Sequence, residues 1–237
     1  MMAVILNSGM GSRLGVYTDN VPKGLVEISE GMSIFSRAIT ILSKLGINEF
    51  IITTGYLKEV LVDYTRKKFP NIHFIFINNP YFDKTNYIKS LDLIPDDIII
   101  DDLVLLHGDL VFSESVARNI INYDEGSCVV VDSLAELPDK DFKAEINENR
   151  VKQISVNFTG HNAITCQPFY KLKKEDWTIW KNKIQEFCQK GKTNVYAEEA
   201  LNALGDKIMI KPYDIKGDLC LEIDTIEDLN HIRRVLL

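Results

Sequence analysis

Two glycines, an arginine and a lysine near the amino terminus have the residue types and spacing of a phosphate-binding loop. They follow a short apolar run at residues 3–6, which is long enough for a buried strand. Gly9 and Gly11 can adopt positive φ and bring backbone N–H groups close to an anion. Arg13 and Lys23 add fixed positive charge for phosphate oxygens. Backbone donors and two cations together suit a triphosphate.

Two better-known glycine loops do not fit these residues. A Walker A loop needs Gly-Lys-Ser or Gly-Lys-Thr, whereas Ser12-Arg13-Leu14 follows Gly11 here. A dinucleotide-binding fingerprint that starts at Gly9 needs a small residue in place of Leu14, and Gly15 comes one position too late. The pattern that remains is Gly-x-Gly-x-Arg-Leu followed by Pro-Lys. An ordinary surface turn is the alternative, and the coincidence of strand, glycines and cations disfavours it.

The remaining pattern resembles the signature loop of the sugar-nucleotide-type nucleotidyltransferases. It is most similar to the short bacterial cytidylyltransferases for phosphocholine, phosphonates and polyol phosphates. The sequence departs from that loop at Asn7-Ser8, where Ala-Ala or Ala-Gly is usual, and at Gly15-Val16-Tyr17, where Leu-x-Pro is common. The resemblance implies that Arg13 and Lys23 are catalytic. It also implies nucleotide contacts for Asn7, Ser8, Gly9, Gly11, Gly55 and Gly108.

Two aspartates far apart in the sequence each follow an apolar strand. Asp109 comes soon after residues 103–106, and Asp224 directly follows residues 219–223. If both strands are parallel members of one sheet, their carboxyl ends meet at one edge. Two carboxylates beside a triphosphate suit Mg²⁺, which prefers hard oxygen ligands. We therefore expect Asp109 and Asp224 to hold Mg²⁺, as the resemblance also implies for Asp109.

The structural alternative is that both aspartates only begin the helices that follow them. Ser113 is a better helix start for the segment after Asp109. Thr225 and Asp228 stand at capping-box spacing, which leaves the Asp224 side chain free. His107 receives no role, because a histidine in an apolar strand is more often a core residue than a catalyst.

A polar loop at residues 78–86 follows the third predicted strand. Its pattern resembles the segment that recognises the nucleotide base in the same family. The resemblance assigns Asn78, Thr85, Asn86 and Ser90 to the base, because amides and hydroxyls can bond to a pyrimidine edge. The open alternative is that these side chains bond only to the backbone of their own loop.

Alternating strand and helix patterns predict an α/β fold with right-handed crossovers. We expect a Rossmann-like single domain over residues 1–237, with a mostly parallel mixed sheet flanked by helices. Residues 1–125 would mainly bind the nucleotide, and residues 126–237 would mainly bind the acceptor and supply the second metal ligand. The second half has predicted strands at 128–132, 142–146, 151–156 and 163–169, a turn at 159–160, and a final helix that runs to residue 237.

Composition excludes several classes of partner. The formal net charge of −7 disfavours a broad nucleic-acid or anionic-membrane surface. No apolar run reaches membrane-spanning length, and the first residues lack the features of a signal peptide, so we expect a cytoplasmic protein. The four cysteines are scattered without metal-site spacing, which predicts reduced thiols in or near the core.

The resemblance implies an enzyme that condenses CTP with a small phosphorylated or phosphonylated alcohol and releases pyrophosphate. Lys143, Tyr196 and Glu198 are candidates for the acceptor side, although each is equally compatible with an ordinary structural role. One alternative is a UTP- or dTTP-dependent sugar-1-phosphate nucleotidyltransferase, which the short chain after Asp228 disfavours. Another is an inactive nucleotide-binding regulatory module, although a mere binder has no need of both carboxylates. Homodimer formation stays open.

Overall fold

Strands from both halves of the chain join in one mixed sheet. The computed structural model describes residues 1–158 and 160–236, so residue 159 of the predicted turn and residue 237 of the predicted final helix lie outside the described part. The strands are β1 (Met2–Asn7), β2 (Glu27–Ser29), β3 (Met32–Ser33), β4 (Glu49–Thr54), β5 (His73–Asn78), β6 (Leu103–His107), β7 (Leu110–Phe112), β8 (Ser127–Asp132), β9 (Lys143–Asn147), β10 (Arg150–Ser155), β11 (Ala163–Leu172), β12 (Ile210–Asp214) and β13 (Cys220–Glu222).

The main sheet has the order β10-β9-β11-β6-β1-β4-β5, with β8 beside β11 and β12 beside β8. Strand β1 pairs in parallel with β4 and β6, and β4 pairs in parallel with β5. Strand β11 runs antiparallel to β6, β8 and β9, and it joins the second half of the chain to the first. The predicted Rossmann-like α/β fold with a mixed sheet is confirmed. The sequence prediction did not include β12.

Helices cover the sheet and begin where the sequence provides caps. They are α1 (Ile34–Lys44), α2 (Lys58–Lys68), α3 (Tyr87–Asp92), α4 (Glu114–Ile121), α5 (Lys174–Gln189), α6 (Ala197–Asn202) and α7 (Ile226–Val235). Ser113 accepts from the Val116 N–H at 3.1 Å, and Thr225 and Asp228 form a reciprocal capping box at the start of α7. Both predicted caps are confirmed. Across the described ranges, no helix combines the length and apolar character needed to cross a bilayer.

Alternate residues of β1 pack into different cores. Val4 contributes to the core beneath α5 and α6, and Ile5 contributes to the core beneath α1 and α4. A strand buried on both faces is continuously apolar, which explains the run at residues 3–6. On α2, Leu61 and Thr65 form the buried face, whereas Val60 is exposed. Three of the four cysteines are buried and Cys188 is half-buried, and all four are free thiols.

Strands β7 and β13 form a two-stranded antiparallel ribbon apart from the main sheet. Strand β7 follows β6 after a two-residue turn that contains Asp109. The prediction that Asp224 ends a parallel strand of the main sheet is therefore wrong. The two aspartates meet because the ribbon pairs Glu222 with Leu110 and so places the end of β13 beside the start of β7.

Candidate active site

A cavity of about 360 Å³ opens where β1 and β6 end. Its wall combines the glycine loop, the turn after β6 and the loop before α3. Predicted site residues that line it are Asn7, Ser8, Gly9, Gly11, Arg13, Lys23, Thr85, Asn86, Gly108, Asp109 and Asp224. Residues from several distant segments of the sequence thus meet around one cavity.

The glycine loop is held in shape by packing and by close backbone approach. Gly11 has φ of 65°, and a Cβ atom there would lie 2.8 Å from Lys23 Cβ. Leu14 is completely buried in the core formed with α7, and Thr18 Oγ1 donates to the Gly11 carbonyl at 3.1 Å. The loop therefore requires glycine at position 11 for two independent reasons.

Lys23 bridges the two predicted metal-binding carboxylates. Its Nζ lies 2.5 Å from Asp109 Oδ2 and 2.6 Å from Asp224 Oδ1, and Arg13 Nη2 lies 3.0 Å from Asp224 Oδ2. Burial opposes the charge on Lys23, but the two carboxylates outweigh it and raise the pKa of Lys23. Burial opposes the charge on Asp109 as well, which by itself would raise the pKa of that carboxyl group. The positive charges of Lys23 and His107 outweigh burial and hold the pKa of Asp109 below its usual value. Lys23 and Asp109 thus each stabilise the charged form of the other.

Backbone contacts fix the positions of these carboxylates. The Ile223 N–H donates to the Asp109 carbonyl at 3.0 Å, which ties the two loops together. The Asp224 N–H donates to Asp228 Oδ2 at 3.0 Å as part of the cap of α7. Thr225 and Asp228 complete that cap and leave the Asp224 side chain outside it, as predicted. The Asp224 side chain bonds instead to Lys23 and Arg13.

The residues present also fit a divalent cation. Within the described part of the chain, Asp109 Oδ1 is buried and lacks a hydrogen-bond partner. One ligand atom each from His107, Asp109 and Glu222 lie within 4.8 Å of one another. Carboxylate oxygens and an imidazole nitrogen are ordinary ligands of divalent metals. A buried carboxylate oxygen without a hydrogen-bond partner is destabilising, and a bound cation would remove that cost.

His107 and Glu222 are functional candidates that the sequence analysis missed. His107 Nδ1 lies 2.9 Å from Glu222 Oε1, and both side chains are largely buried. Burial, with help from Asp109, raises the pKa of Glu222 to about 7, although His107 opposes this shift. Each residue precedes a predicted metal ligand by two positions. This short separation in the sequence was a usable signal, because residues two positions apart lie close together in space.

The loop before α3 uses most of its polar groups within the protein. Thr85 Oγ1 donates to the Tyr81 carbonyl at 2.8 Å, and Asn86 Oδ1 accepts from the Tyr87 N–H at 2.7 Å. Asn78 is exposed outside the cavity wall, whereas its neighbour Asn79 is buried. The structure therefore brings Thr85 and Asn86 to the cavity and leaves Asn78 outside it.

Asn79 connects this loop to the glycine loop. Its Nδ2 donates to Ser90 Oγ at 3.0 Å and lies 3.2 Å from Thr85 Oγ1. Ser90 Oγ in turn lies 2.8 Å from Ser8 Oγ. Ser90 thus lies behind the cavity wall as a support. The sequence analysis overlooked Asn79 because two adjacent asparagines point to opposite sides of an extended chain.

Gly55 and Gly108 are needed for close contacts around the end of β1. A Cβ on Gly55 would lie 2.5 Å from the Ser8 carbonyl and 2.7 Å from Phe82 Cβ. A Cβ on Gly108 would collide with the Asn7 side chain. Gly55 therefore supports the loop from behind, while Gly108 lies in the cavity wall itself. Phe82 also lines the cavity and was not predicted.

A second cavity of about 480 Å³ adjoins the first and shares Arg13, Asp109 and Asp224 with it. Of the predicted acceptor residues, Tyr196 lines this cavity. The expectation for Lys143 does not fit, since its buried Nζ donates to the Pro138 carbonyl at 2.7 Å. Glu198 does not fit either, because it is buried and accepts hydrogen bonds from Tyr87 and Tyr170.

Known proteins resemble this chain in sequence and in fold. The chain is 30% identical to a CTP:phosphoglutamine cytidylyltransferase of Campylobacter jejuni, over 97% of this chain and 98% of that protein. It is 38% identical to a choline-phosphate cytidylyltransferase of Streptococcus pneumoniae over 41% of each chain. The inositol-1-phosphate CTP transferase structure from T. maritima superposes with a TM-score of 0.83 at 22% identity, covering 99% and 94% of the two chains.

The family model for nucleotidyl transferases matches residues 2–136, which include the glycine loop, Lys23 and Asp109. This match covers more than half of the chain. The relative from Campylobacter jejuni matches 97% of this chain, so the similarity extends beyond residue 136. The chain therefore belongs to the nucleotidyl transferase family.

Proposed function

We propose that this protein is a Mg²⁺-dependent cytidylyltransferase that joins CTP to a small phosphorylated or phosphonylated alcohol. Candidate acceptors are glycerol phosphate, another polyol phosphate, phosphocholine and 2-aminoethylphosphonate. The observation that carries the proposal is the pair Asp109 and Asp224, bridged by Lys23 beside the glycine loop. Two relatives named for CTP-dependent reactions support CTP as the nucleotide.

The reaction needs charge and alignment more than proton transfer. The acceptor phosphate is already anionic near neutral pH, so no general base has to create the nucleophile. Arg13 and the loop amides would hold the β- and γ-phosphates, and Lys23 would hold the α-phosphate and the acceptor. This arrangement favours in-line attack of an acceptor oxygen on the α-phosphorus, with pyrophosphate leaving on the opposite side.

Asp109 and Asp224 are the residues that would hold Mg²⁺. When bound, the ion supplies positive charge that offsets the negative charge developing on pyrophosphate. Asp109 Oδ1, which has no partner among the described residues, supports the assignment of Asp109. The CDP- or CMP-linked product would serve the decoration of cell-surface polysaccharide or teichoic acid, and the cytoplasm would be the compartment of the reaction.

The test is to incubate the protein with Mg²⁺, each nucleoside triphosphate in turn and a panel of phosphorylated alcohols, phosphonates and sugar 1-phosphates. We expect pyrophosphate release with CTP and one of the phosphoalcohols or phosphonates. Release with UTP or dTTP and a sugar 1-phosphate would instead support the alternative nucleotidyltransferase. Binding of CTP without release for any acceptor would support a regulatory module.

A further inference from the structure

Strand β5 forms an edge of the main sheet and lacks the residues that usually protect such an edge. In the described part of the chain, the strands of the main sheet with only one partner are β5, β10 and β12. Charged residues or a proline interrupt the other two edges, namely Arg150, Lys152, Lys211, Pro212 and Asp214. Such residues keep an edge strand from pairing with another chain. Residues 71–79, which include β5, contain no lysine, arginine, acidic residue or proline.

The side chains of β5 are apolar on both faces and only partly covered. Phe74 and Phe76 pack against the core beneath α1 and α4. Ile75 and Ile77 pack against the core beneath α5 and α6. All four are half-buried, whereas the neighbouring strand β4 is buried over residues 50–54. A further strand beside β5 would extend the sheet and remove apolar surface from water on both of its faces.

Alternate backbone groups of β5 face away from β4. The N–H groups of His73 and Asn79 donate to carbonyl groups at the two ends of β4, at 3.3 and 2.8 Å. Because the direction of hydrogen bonding alternates along a strand, the N–H and C=O groups of Phe74, Phe76 and Asn78 face outward. An edge with such free backbone groups can bind a further strand.

The charges of helix α2 make a second copy of this chain the matching partner. The Arg66 guanidinium lies 6.0 Å from the centre of the Phe76 ring, so α2 runs beside the open edge. Because α2 connects two parallel strands, it runs antiparallel to β5. Residues 58–63 of the helix carry a net charge of −1, and residues 66–68 carry +3. If two copies pair about a twofold axis, the acidic end of each α2 comes beside the basic end of the other.

We propose that two copies of this chain pair through β5 in antiparallel orientation, so that the two main sheets become one. Each outward backbone group of β5 then gains a partner. A twofold contact uses the same edge of both copies, so the assembly closes at a dimer. The first cavity opens where β1 and β6 end, and β4 separates β1 from β5, so the dimer leaves both cavities accessible. The proposal is independent of the reaction that the protein catalyses.

The oligomeric state of the full chain tests this proposal. Sedimentation equilibrium should show a change from the 27.0 kDa of one chain to twice that mass. We expect a Kd of about 10 µM, because the interface is small, so the experiment covers about 1 to 200 µM. Hydrogen exchange in peptides that cover residues 72–79 should slow as the dimer forms. A single-chain mass throughout this range, or a dimer without slower exchange in residues 72–79, would overturn the proposal.

Charge variants of α2 locate the interface. The variant Glu59→Lys/Asp63→Lys makes the helix basic throughout, and Arg66→Glu/Lys67→Glu makes most of it acidic. Each variant alone should raise the Kd of the dimer by about tenfold or more, because like charges then meet across the axis. An equimolar mixture of the two variants should form a dimer again, because opposite charges meet. Unchanged Kd values in both variants, or a mixture that stays monomeric, would contradict pairing along β5.

A third variant controls for the change in net charge. Glu148→Lys/Glu175→Lys makes the same change as the basic α2 variant, at two exposed positions in the turn between β9 and β10 and in α5. Its Kd should equal that of wild type, and thermal unfolding of all variants checks their folding. A Kd raised as much as in the basic α2 variant would show that net charge, rather than the position of the charges, controls association.

Discussion

The two adjoining cavities are built from different materials. The first depends on glycines, backbone groups and short polar side chains at strand ends, and close packing fixes several of its positions. The second depends on aromatic and charged side chains contributed by β13 and by the segments that precede β9 and α6. A backbone-built cavity constrains many residues at once, whereas a cavity built from side chains can change its ligand through single substitutions. The first suits a shared nucleotide and the second suits a particular acceptor.

The largest expected effect concerns the carboxylates that both cavities share. Asp109→Asn and Asp224→Asn should each reduce kcat by about 10³-fold or more, because a ligand of the proposed metal is lost. The double variant should lose little beyond either single variant, because residues that act as one unit are lost together. Steady-state kinetics at several Mg²⁺ concentrations, with circular dichroism as a check of folding, would measure this.

A purely structural role for Asp109 and Asp224 predicts a different outcome. If the aspartates only begin the following segments, Asn should replace them with little loss, because it starts a helix about as well as Asp. Near-normal turnover in either single variant would contradict the shared-metal assignment. Losses that multiply in the double variant would show that the two carboxylates act independently.

Lys23→Ala should have the next largest effect. It distinguishes a role of the Lys23 charge in the reaction step from a role in binding CTP. We expect kcat to fall by about 10²- to 10³-fold while the Kd for CTP changes much less, because a positioned cation matters most at the crowded α-phosphorus. Calorimetry with CTP and single-turnover kinetics would measure the two quantities separately. Thermal unfolding serves as the control, because the variant leaves Asp109 and Asp224 without their bridge. An unchanged kcat would remove Lys23 from the reaction.

Gly55→Ala tests whether the first cavity really depends on close backbone packing. The added methyl group would meet the Ser8 carbonyl at 2.5 Å, so the loop has to shift. We expect kcat/KM for CTP to fall by about 10- to 100-fold, because small displacements near the reacting atoms are costly. Preference among acceptors should not change, since Gly55 does not line the second cavity. Thermal unfolding of Gly55→Ala beside wild type is the control for folding.

Asn86→Ala should have a smaller effect that concerns base choice. The side chain lines both cavities, and its amide can bond to the edge of a pyrimidine. We expect the ratio of kcat/KM for CTP over UTP to narrow by about tenfold or less. Because Asn86 also caps α3, circular dichroism and thermal unfolding should accompany the kinetics. A ratio that is the same in wild type and Asn86→Ala would show that this residue does not recognise the base.

The smallest expected effect is a change in the pH dependence of stability, caused by Glu222. The folded protein raises the pKa of Glu222 to about 7 from 4.5, so the unfolded chain releases that proton at lower pH than the folded protein does. The contribution of Glu222 to the free energy of unfolding therefore declines as pH rises between those values. Glu222→Gln should remove this decline. The measurement is urea unfolding of both metal-free proteins at pH 5 and pH 7. Between these pH values, the free energy of unfolding of Glu222→Gln should rise relative to that of wild type.

Sequence patterns located the elements of the first cavity because each of them is local. The residues from Ala3 to Lys23 contain the strand, the glycines and both cations, and Thr225 with Asp228 specifies a cap within four residues. By contrast, Lys143 carries a charge that suggested an acceptor site, but its ammonium bonds to the backbone of its own neighbourhood. The type of a charged residue does not reveal whether its partner will be a ligand or a carbonyl group.

The sequence by itself therefore determined the alternation of strands and helices, the glycine loop and the two aspartates that follow strands. These depend on periodicity, on glycine conformation and on side-chain chemistry, all of which act over a few residues. Only the tertiary structure decided that Asp224 reaches Asp109 through the antiparallel ribbon of β7 and β13. It also decided that Lys23 lies between the two carboxylates, and that Tyr196, Phe142 and Asp141 surround one cavity. Those contacts join residues far apart in the chain, and local patterns do not specify which distant segments will pack together.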